Sequence, residues 1–387
     1  MPLQPDMKII SVDDHLIEHP MAFQNHLPEK YKELGPRIIE AAGAVDVFGK
    51  AEDAVAEVWE WEGRRYVNAA LNAIAGRPKE QFGFEPMRYD QIRPGCYIPG
   101  ERIKDMDIDG IWGALCFPTF PRFAGTRFLE GKDKDLALAC VRAYNDFVLD
   151  EWCAAAPGRL IPMVILPLWD GELAKQELIR TAAKGAKAIS FPENPVPLGL
   201  PSWHTEHWDG VFAVAQDAEI PLCMHFGTSG KPPTTGPDAP TAVTLSVYPC
   251  NSMMAAADLL FSRVFHEFPR LKVALSEGGI GWIPFLLERM DYVFDRHSAH
   301  ATRYKDTLPS ELFRRNIWGC YIDEKKGLQD RYEIGVDRIL YECDYPHSDS
   351  LWPNSRNHLN EMMKDVPDEE VRQIVQTNAE KLLNITA

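Results

Sequence analysis

The sequence predicts an α/β chain folded as a (β/α)8 or TIM barrel with a long insertion after its first strand. Three observations predict it. About eight short, apolar, β-rich runs recur along the 387 residues with helical patterns between them, which implies parallel pairing. Several of those runs end in a carboxylate or an imidazole, as barrels do when they present chemistry at the C-terminal tips of their strands. No glycine-rich phosphate fingerprint follows the first strand, which disfavours an open, doubly wound sheet.

The elements follow in order. Strands are expected near Lys8–Asp13, Gly110–Pro118, Leu160–Leu168, Ala186–Phe191, Ile220–His225, Leu271–Ser276, Asn316–Ile322 and Arg338–Glu342. Helical patterns fall at Asp135–Ala155, Gly171–Lys184, Trp208–Ala218, Ser252–Phe268, Trp282–His297 and Asp368–Leu383. Stop signals support several of them: Pro157 and Gly158 after the first, Gly185 after the second, Pro269 after the fourth. One stretch breaks the rhythm. Roughly 90 residues separate the first two strands, far more than an ordinary βα connection. Within it Val58–Val67 alternates around Glu62 and Gly63 and reads as a hairpin, followed by a turn-rich stretch with Pro86, Pro94, Gly95, Pro99 and Gly100. The expected division is a barrel of residues 8–20 and 100–387 with an insertion at 21–99, read as a lid over the mouth. Surface decoration and an oligomer contact stay open for it. A second irregular stretch, Gly227–Thr244, is too rich in glycine and proline for regular structure and is expected to border the pocket.

Composition narrows the class. Hydrophobic residues at 45% and charged residues at 25% are those of a soluble globular protein. The balance of 41 Lys and Arg against 57 Asp and Glu gives −16 at pH 7, which argues against nucleic-acid or anionic-membrane partners. No secretory signal and no membrane-spanning run is visible, and eight scattered cysteines read as reduced thiols, so the cytoplasm is the expected location.

Chemistry concentrates at three strand ends. The run Arg338–Tyr341 leads to Asp344, then Pro346 and His347. The first strand runs into Asp13 and His15, and Ile220–His225 ends on His225 ahead of Gly227. Carboxylates and imidazoles converging from separate strands are what a divalent metal site requires. Each alone has a structural alternative, a turn capped by Asp344 or a satisfied core histidine. Their convergence favours ligation.

These residues resemble the amidohydrolase superfamily, in the amidohydrolase-related branch that includes aromatic-acid decarboxylases. The resemblance covers most of the chain: DDH at 13–15, MHFG at 224–227, SEGGIGW at 276–282 and ECDYPH at 342–347. It implies a metal held by Asp13, His15, His225 and Asp344, with Asp344 also taking a proton from water. Asp14 points the other way in a strand and is expected to be structural.

Two positions depart from the pattern. The dinuclear hydrolases of the superfamily carry a carbamylated lysine after the fourth strand. This chain has SFPEN at 190–194 there, which favours a single metal; Glu193 is read as solvated or a helix cap before it is read as a bridge. The related decarboxylases end the sixth strand in a histidine that works on the substrate, and here that position is Glu277. Glu277 is either a metal ligand and base or a cap for the turn at Gly278 and Gly279. His347 is a further catalytic candidate, as a ligand partner, substrate contact or ligand, with Asp349 able to orient it or simply pair with it.

Three functions follow. The first expectation is a metal-dependent hydrolase in which metal-held water attacks a carbonyl, with zinc expected and iron or manganese as alternatives. The second is non-oxidative decarboxylation of an aromatic or enoic acid. The third is an iron or manganese oxygenase with a dinuclear, carboxylate-rich site that includes Glu277. The partner is a small molecule with a carboxylate or carbonyl, which Arg64, Arg65, Arg88, Arg122 or Arg127 could grip. A homo-oligomer is expected by analogy with lidded barrels.

Overall fold

The computed structural model describes residues 2–42, 55–230 and 233–387. The barrel strands are β1 (Ile9–His15), β2 (Ile111–Phe117), β3 (Leu160–Ile161, resumed past Pro162 as Met163–Val164), β4 (Ala188–Ser190), β5 (Leu222–His225), β6 (Val273–Ser276), β7 (Ile317–Tyr321) and β8 (Ile339–Tyr341). Each pairs in parallel with the next. Pro162 has no N–H to donate, so β3 divides there: its first half pairs with β2 and its second with β4. The seam between β8 and β1 closes through backbone. The Asp344 N–H donates to the Asp13 carbonyl at 2.8 Å and the His15 N–H to the Tyr345 carbonyl at 2.7 Å.

Inside, Ile10, Val12, Leu115, Phe117, Ile161, Met163, Cys223, Ala274, Cys320 and Leu340 form one buried cluster, joined by Ala379, Leu382 and Leu383 of the last helix. That helix lies at the strands' N-terminal end, where Lys187 and Lys272 donate to the carbonyls of Asn384 and Lys381. The floor is therefore apolar and plugged, and the opposite end is left for chemistry. A larger cluster fills the layer between strands and helices.

β1 carries a bulge. Ser11 pairs with Ala114 and Asp14 with Cys116, so three steps on β1 face two on β2. One extra residue reverses the alternation. Ile10 and Val12 point into the barrel, and beyond the bulge Asp13 and His15 do so as well. Asp14 turns out to accept from the Ser11 hydroxyl at 2.7 Å and lies 3.6 Å from Arg102.

In the insertion, the expected hairpin is present as Ala56–Trp61 and Arg64–Val67, turned at Glu62 (φ 48°) and Gly63 (φ 73°), the left-handed pair a two-residue turn requires. A third strand, Arg37–Ala41, which the sequence reading lacked, completes an antiparallel sheet. The hairpin packs on the segment after β2, with Trp59 4.7 Å from Phe120 and Trp61 5.3 Å from Phe128, ring centre to ring centre. Residues 43–54 of the insertion and Lys231 and Pro232 of the second irregular stretch lie outside the described residues.

Three expectations are corrected. The turn expected at Pro99 and Gly100 opens a helix, Pro99–Asp109, which Gly110 ends at φ 77°. Part of the second irregular stretch is helical, Thr241–Val247. The helix expected at Ser252–Phe268 runs as Pro249–Phe261 and Val264–Glu267, broken at Ser262. All eight cysteines are free thiols, buried except for Cys250. Among the described residues no helix is long and apolar enough to cross a membrane.

Candidate metal centre

The bulge on β1 presents Asp13 and His15, β5 ends on His225, Glu277 directly follows β6, and the inward alternation of β8 runs through Leu340 and Glu342 to Asp344. The structure brings all five residues predicted as ligands to one place. Donor atoms of Asp13, His15, His225 and Glu277 lie within 4.8 Å of one another, and His15, Glu277, Asp344 and His347 form an overlapping set. His15 Nε2 is 3.3 Å from Asp13 Oδ1 and 3.2 Å from Asp344 Oδ1. His225 Nε2 is 2.7 Å from Glu277 Oε2. His347 Nδ1 is 2.9 Å from Asp344 Oδ1, and its ring stacks on His15 at 3.7 Å.

The hydrogen bonds decide which lone pairs are free. His225 Nδ1 donates to the Phe226 carbonyl at 2.7 Å, which turns Nε2 toward the Glu277 carboxylate. Two electron-pair donors at that distance need a proton or a cation between them. Both oxygens of Asp13 and of Asp344, both nitrogens of His15, and Nε2 of His225 and of His347 are buried without a hydrogen bond among the described residues. Buried polar atoms are otherwise nearly always paired. Oxygen and imidazole donors orphaned together fit a divalent cation.

Electrostatics points the same way. Burial, then the charges of Glu342 and Glu277, pushes Asp13 well above the usual carboxylate range. Burial, then Glu277 and Asp13, does the same to Asp344. His15 is held well below the usual imidazole range by burial and by His347 and His225, and His347 is pushed down to about 3 by burial and His225. His15 and His347 are thus neutral donors, and Asp13 and Asp344 cannot both ionise without compensating positive charge.

Backbone strain collects here too. Glu277 and Asp344 sit at φ 52° and 57°, left-handed values that cost roughly 1–3 kcal/mol each for such residues. The Glu277 N–H is held by Glu342 Oε2 at 2.9 Å, and the Asp344 N–H by the seam bond to Asp13.

Several predicted roles change. Glu277 does not cap the turn, because Glu324 Oε1 accepts the Ile280 N–H at 2.6 Å and the Glu277 side chain faces His225. Glu193 is neither solvated nor a helix cap. It is 1% exposed, accepts from the Ser229 N–H at 2.8 Å and from the Thr228 hydroxyl, and so braces the segment after His225. His347 Nδ1 takes Asp344 as its partner, not Asp349. β4 ends on Ser190, whose hydroxyl donates to the Phe123 carbonyl. Of the arginines, Arg64 and Arg122 pair with Glu130, Arg88 pairs with Glu40, Arg65 is exposed, and Arg127 is buried beside a cavity.

Three site residues had no clear sequence signal. Glu342 shares the inward face of β8 with Asp344. Phe123 packs on His15 and His225 at 4.8 and 4.1 Å. Arg102, fully buried, donates from Nε to the Gly95 carbonyl at 2.8 Å and from Nη2 to the His15 carbonyl, anchoring the ligand strand.

The sequence matches the Amidohydrolase family over residues 56–385. It is 27% identical over 273 residues to gamma-resorcylate decarboxylase of Rhizobium sp. (strain MTP-10005), which covers 64% of this chain and 77% of that protein. The fold matches an amidohydrolase of Mycobacterium avium subsp. paratuberculosis K-10 with a TM-score of 0.74 and 22% identity, over 98% of this chain and 100% of the other. It also matches 5-carboxyvanillate decarboxylase of Novosphingobium aromaticivorans, solved with manganese and 4-hydroxy-3-methoxy-5-nitrobenzoic acid. The TM-score is 0.67 with 20% identity, over 98% and 97% of the two chains. At such identities these structures establish the shared barrel.

Proposed function

The chain belongs to the amidohydrolase family, and from that premise we propose that it is a metal-dependent decarboxylase that replaces the carboxylate of a small aromatic acid with a proton. One observation carries the reading: a buried cluster of orphaned carboxylate and imidazole donors, in a chain aligned with gamma-resorcylate decarboxylase. Hydrolysis, the first expectation from sequence, becomes the second reading.

Asp13, His15, His225 and Asp344 would hold a divalent cation, with Glu277 as a fifth donor. Manganese, the ion in the 5-carboxyvanillate decarboxylase, is proposed in place of zinc. When bound, such an ion fixes the acid's oxygens and draws negative charge away from the ring. The remaining work falls to the chain's own residues. His225 keeps its Nε2 lone pair aimed inward through its bond to the Phe226 carbonyl. His347, with Nδ1 2.9 Å from Asp344 Oδ1 and 8% exposed, is placed to relay a proton to the substrate's ring carbon, taking it up at one ring nitrogen and releasing it from the other. The bond from ring to carboxyl carbon breaks, its electron pair stays on the ring carbon, that proton joins it, and carbon dioxide leaves. Phe123 shields His15 and His225 on one side. The insertion at 21–99 is proposed to cover the mouth, because Trp59 and Tyr66 of its hairpin line a cavity together with Phe123.

The second reading, metal-held water attacking a carbonyl, is favoured by a carboxylate at Glu277 where the related decarboxylases carry an imidazole. A direct assay separates the two. Manganese-loaded protein is incubated with gamma-resorcylate, 5-carboxyvanillate and a panel of lactones and amides. Carbon dioxide and the matching arene, lost on chelation, are expected. Cleavage of a lactone or amide with no carbon dioxide from any aromatic acid would overturn the decarboxylase.

A further inference from the structure

Beside the metal centre lies a cavity of about 240 Å³ between the insertion hairpin, the segment after β2 and the segment after β5. Phe123 forms part of its wall and also packs on His15 and His225, so the cavity abuts the centre across one ring. In a chain of net charge −16, this cavity is lined by two arginines, Arg122 and Arg127, and by no acidic residue. Such a local reversal of sign concentrates anions.

Arg127 is the telling residue. It is 9% exposed, yet it forms no ion pair with a carboxylate among the described residues, and its Nη1 is buried without an acceptor. Its Nε donates to the Phe120 carbonyl, and its guanidinium lies 3.7 Å from the centre of the Tyr66 ring. Those two contacts fix the plane of the fork and leave Nη1 unpaired. Burial, then the charge of Arg122, lowers Arg127 to about 10, so it remains a cation at neutral pH. The neighbouring Tyr66 hydroxyl offers no full negative charge. Arg122 is already committed to Glu130 at 2.6 Å. A buried, unpaired guanidinium is costly unless an anion completes it, and a planar fork matches a carboxylate.

We propose that this cavity is an anion subsite in which Arg127 receives a second carboxylate of the substrate, so that the enzyme acts on an aromatic dicarboxylic acid. The inference rests on the reading of the metal centre as an aromatic-acid site. It extends that reading from the reacting carboxylate to the far end of the molecule.

Isothermal titration of manganese-loaded protein with isophthalate and with benzoate tests it, for wild type, Arg127→Gln and Arg127→Lys. Wild type is expected to bind isophthalate at least about tenfold more tightly than benzoate. The gap should close to about twofold in Arg127→Gln and fall between the two in Arg127→Lys, which keeps the charge but loses the fork. Should Arg127→Gln fail to fold, the narrowing in Arg127→Lys carries the test. Equal affinities in wild type, no binding of either acid, or a gap that survives substitution in folded variants would overturn the subsite. Carbon dioxide is measured with 5-carboxyvanillate on the same preparations. An Arg127-dependent preference without its release leaves the subsite standing and removes the decarboxylase. Release without the preference does the reverse.

Discussion

Glu277 Oε2 and His225 Nε2 stand 2.7 Å apart, and the bond from His225 Nδ1 to the Phe226 carbonyl turns Nε2 toward the site, so a proton or a cation must sit between them. Around them Asp13 and Asp344 hold four unpaired oxygens in a space that burial and mutual repulsion make hostile to negative charge. At this scale each donor has a separable role. Asp344→Asn keeps the shape and loses a ligand charge. Its far-ultraviolet circular dichroism should match wild type while turnover falls at least about a thousandfold; near-wild-type turnover would remove Asp344 from the mechanism. His347→Asn tests proton delivery. It should keep its metal yet lose about a hundredfold or more in kcat. Loss of the metal instead would make His347 a ligand.

At the scale of elements, the links between strand ends matter most. Glu18, just past β1, accepts the N–H groups of Thr119 at 3.0 Å and Phe120 at 2.8 Å and so ties β1 to the segment that carries Phe123 and Arg127. Burial raises Glu18 to about 7, opposed by those two bonds and weakly by Arg127; Tyr89 and Tyr144 also face it. The folded state therefore binds this proton more tightly than the unfolded chain. Its contribution is full below the ordinary value of 4.5 and is lost as pH rises through 7, on the order of 3 kcal/mol in all. Melting temperatures between pH 5 and 8 should fall more steeply for wild type than for Glu18→Gln, and equal slopes would contradict the assignment. The same scale shows what could be read from sequence. The strand tips carrying Asp13, His15, His225 and Asp344 were legible because the chemistry is local to each motif. The bulge that turns both Ile10 and Asp13 inward was not, because β2 sets that register. The helix Pro99–Asp109 hid behind Pro99 and Gly100, though proline suits a first helical turn and Gly110 marks the end. Nor could five loop arginines be ranked, since only the folded chain shows that Glu130 and Glu40 occupy three of them.

For the whole molecule, barrel closure and the metal centre share residues. Asp13, His15 and Asp344 offer their side chains to the site while their backbones make the seam between β8 and β1. A cation bound there links the first and last strands and relieves the crowding of Asp13, Asp344 and Glu342, so it should stabilise the fold as well as the site. Mass action gives about 2.7 kcal/mol at a metal concentration about 100 times Kd. Thermal melting should shift upward on adding manganese to chelator-treated protein, and an unchanged melting temperature would argue against this coupling. The most direct measurement is the metal content per chain, by plasma mass spectrometry after loading with manganese, of wild type beside His225→Ala and Asp344→Asn. About one ion per wild-type chain, falling to about a tenth or less in folded variants, is the predicted result. A wild type that stays metal-free after loading, or equal occupancy in all three proteins, would contradict the metal centre.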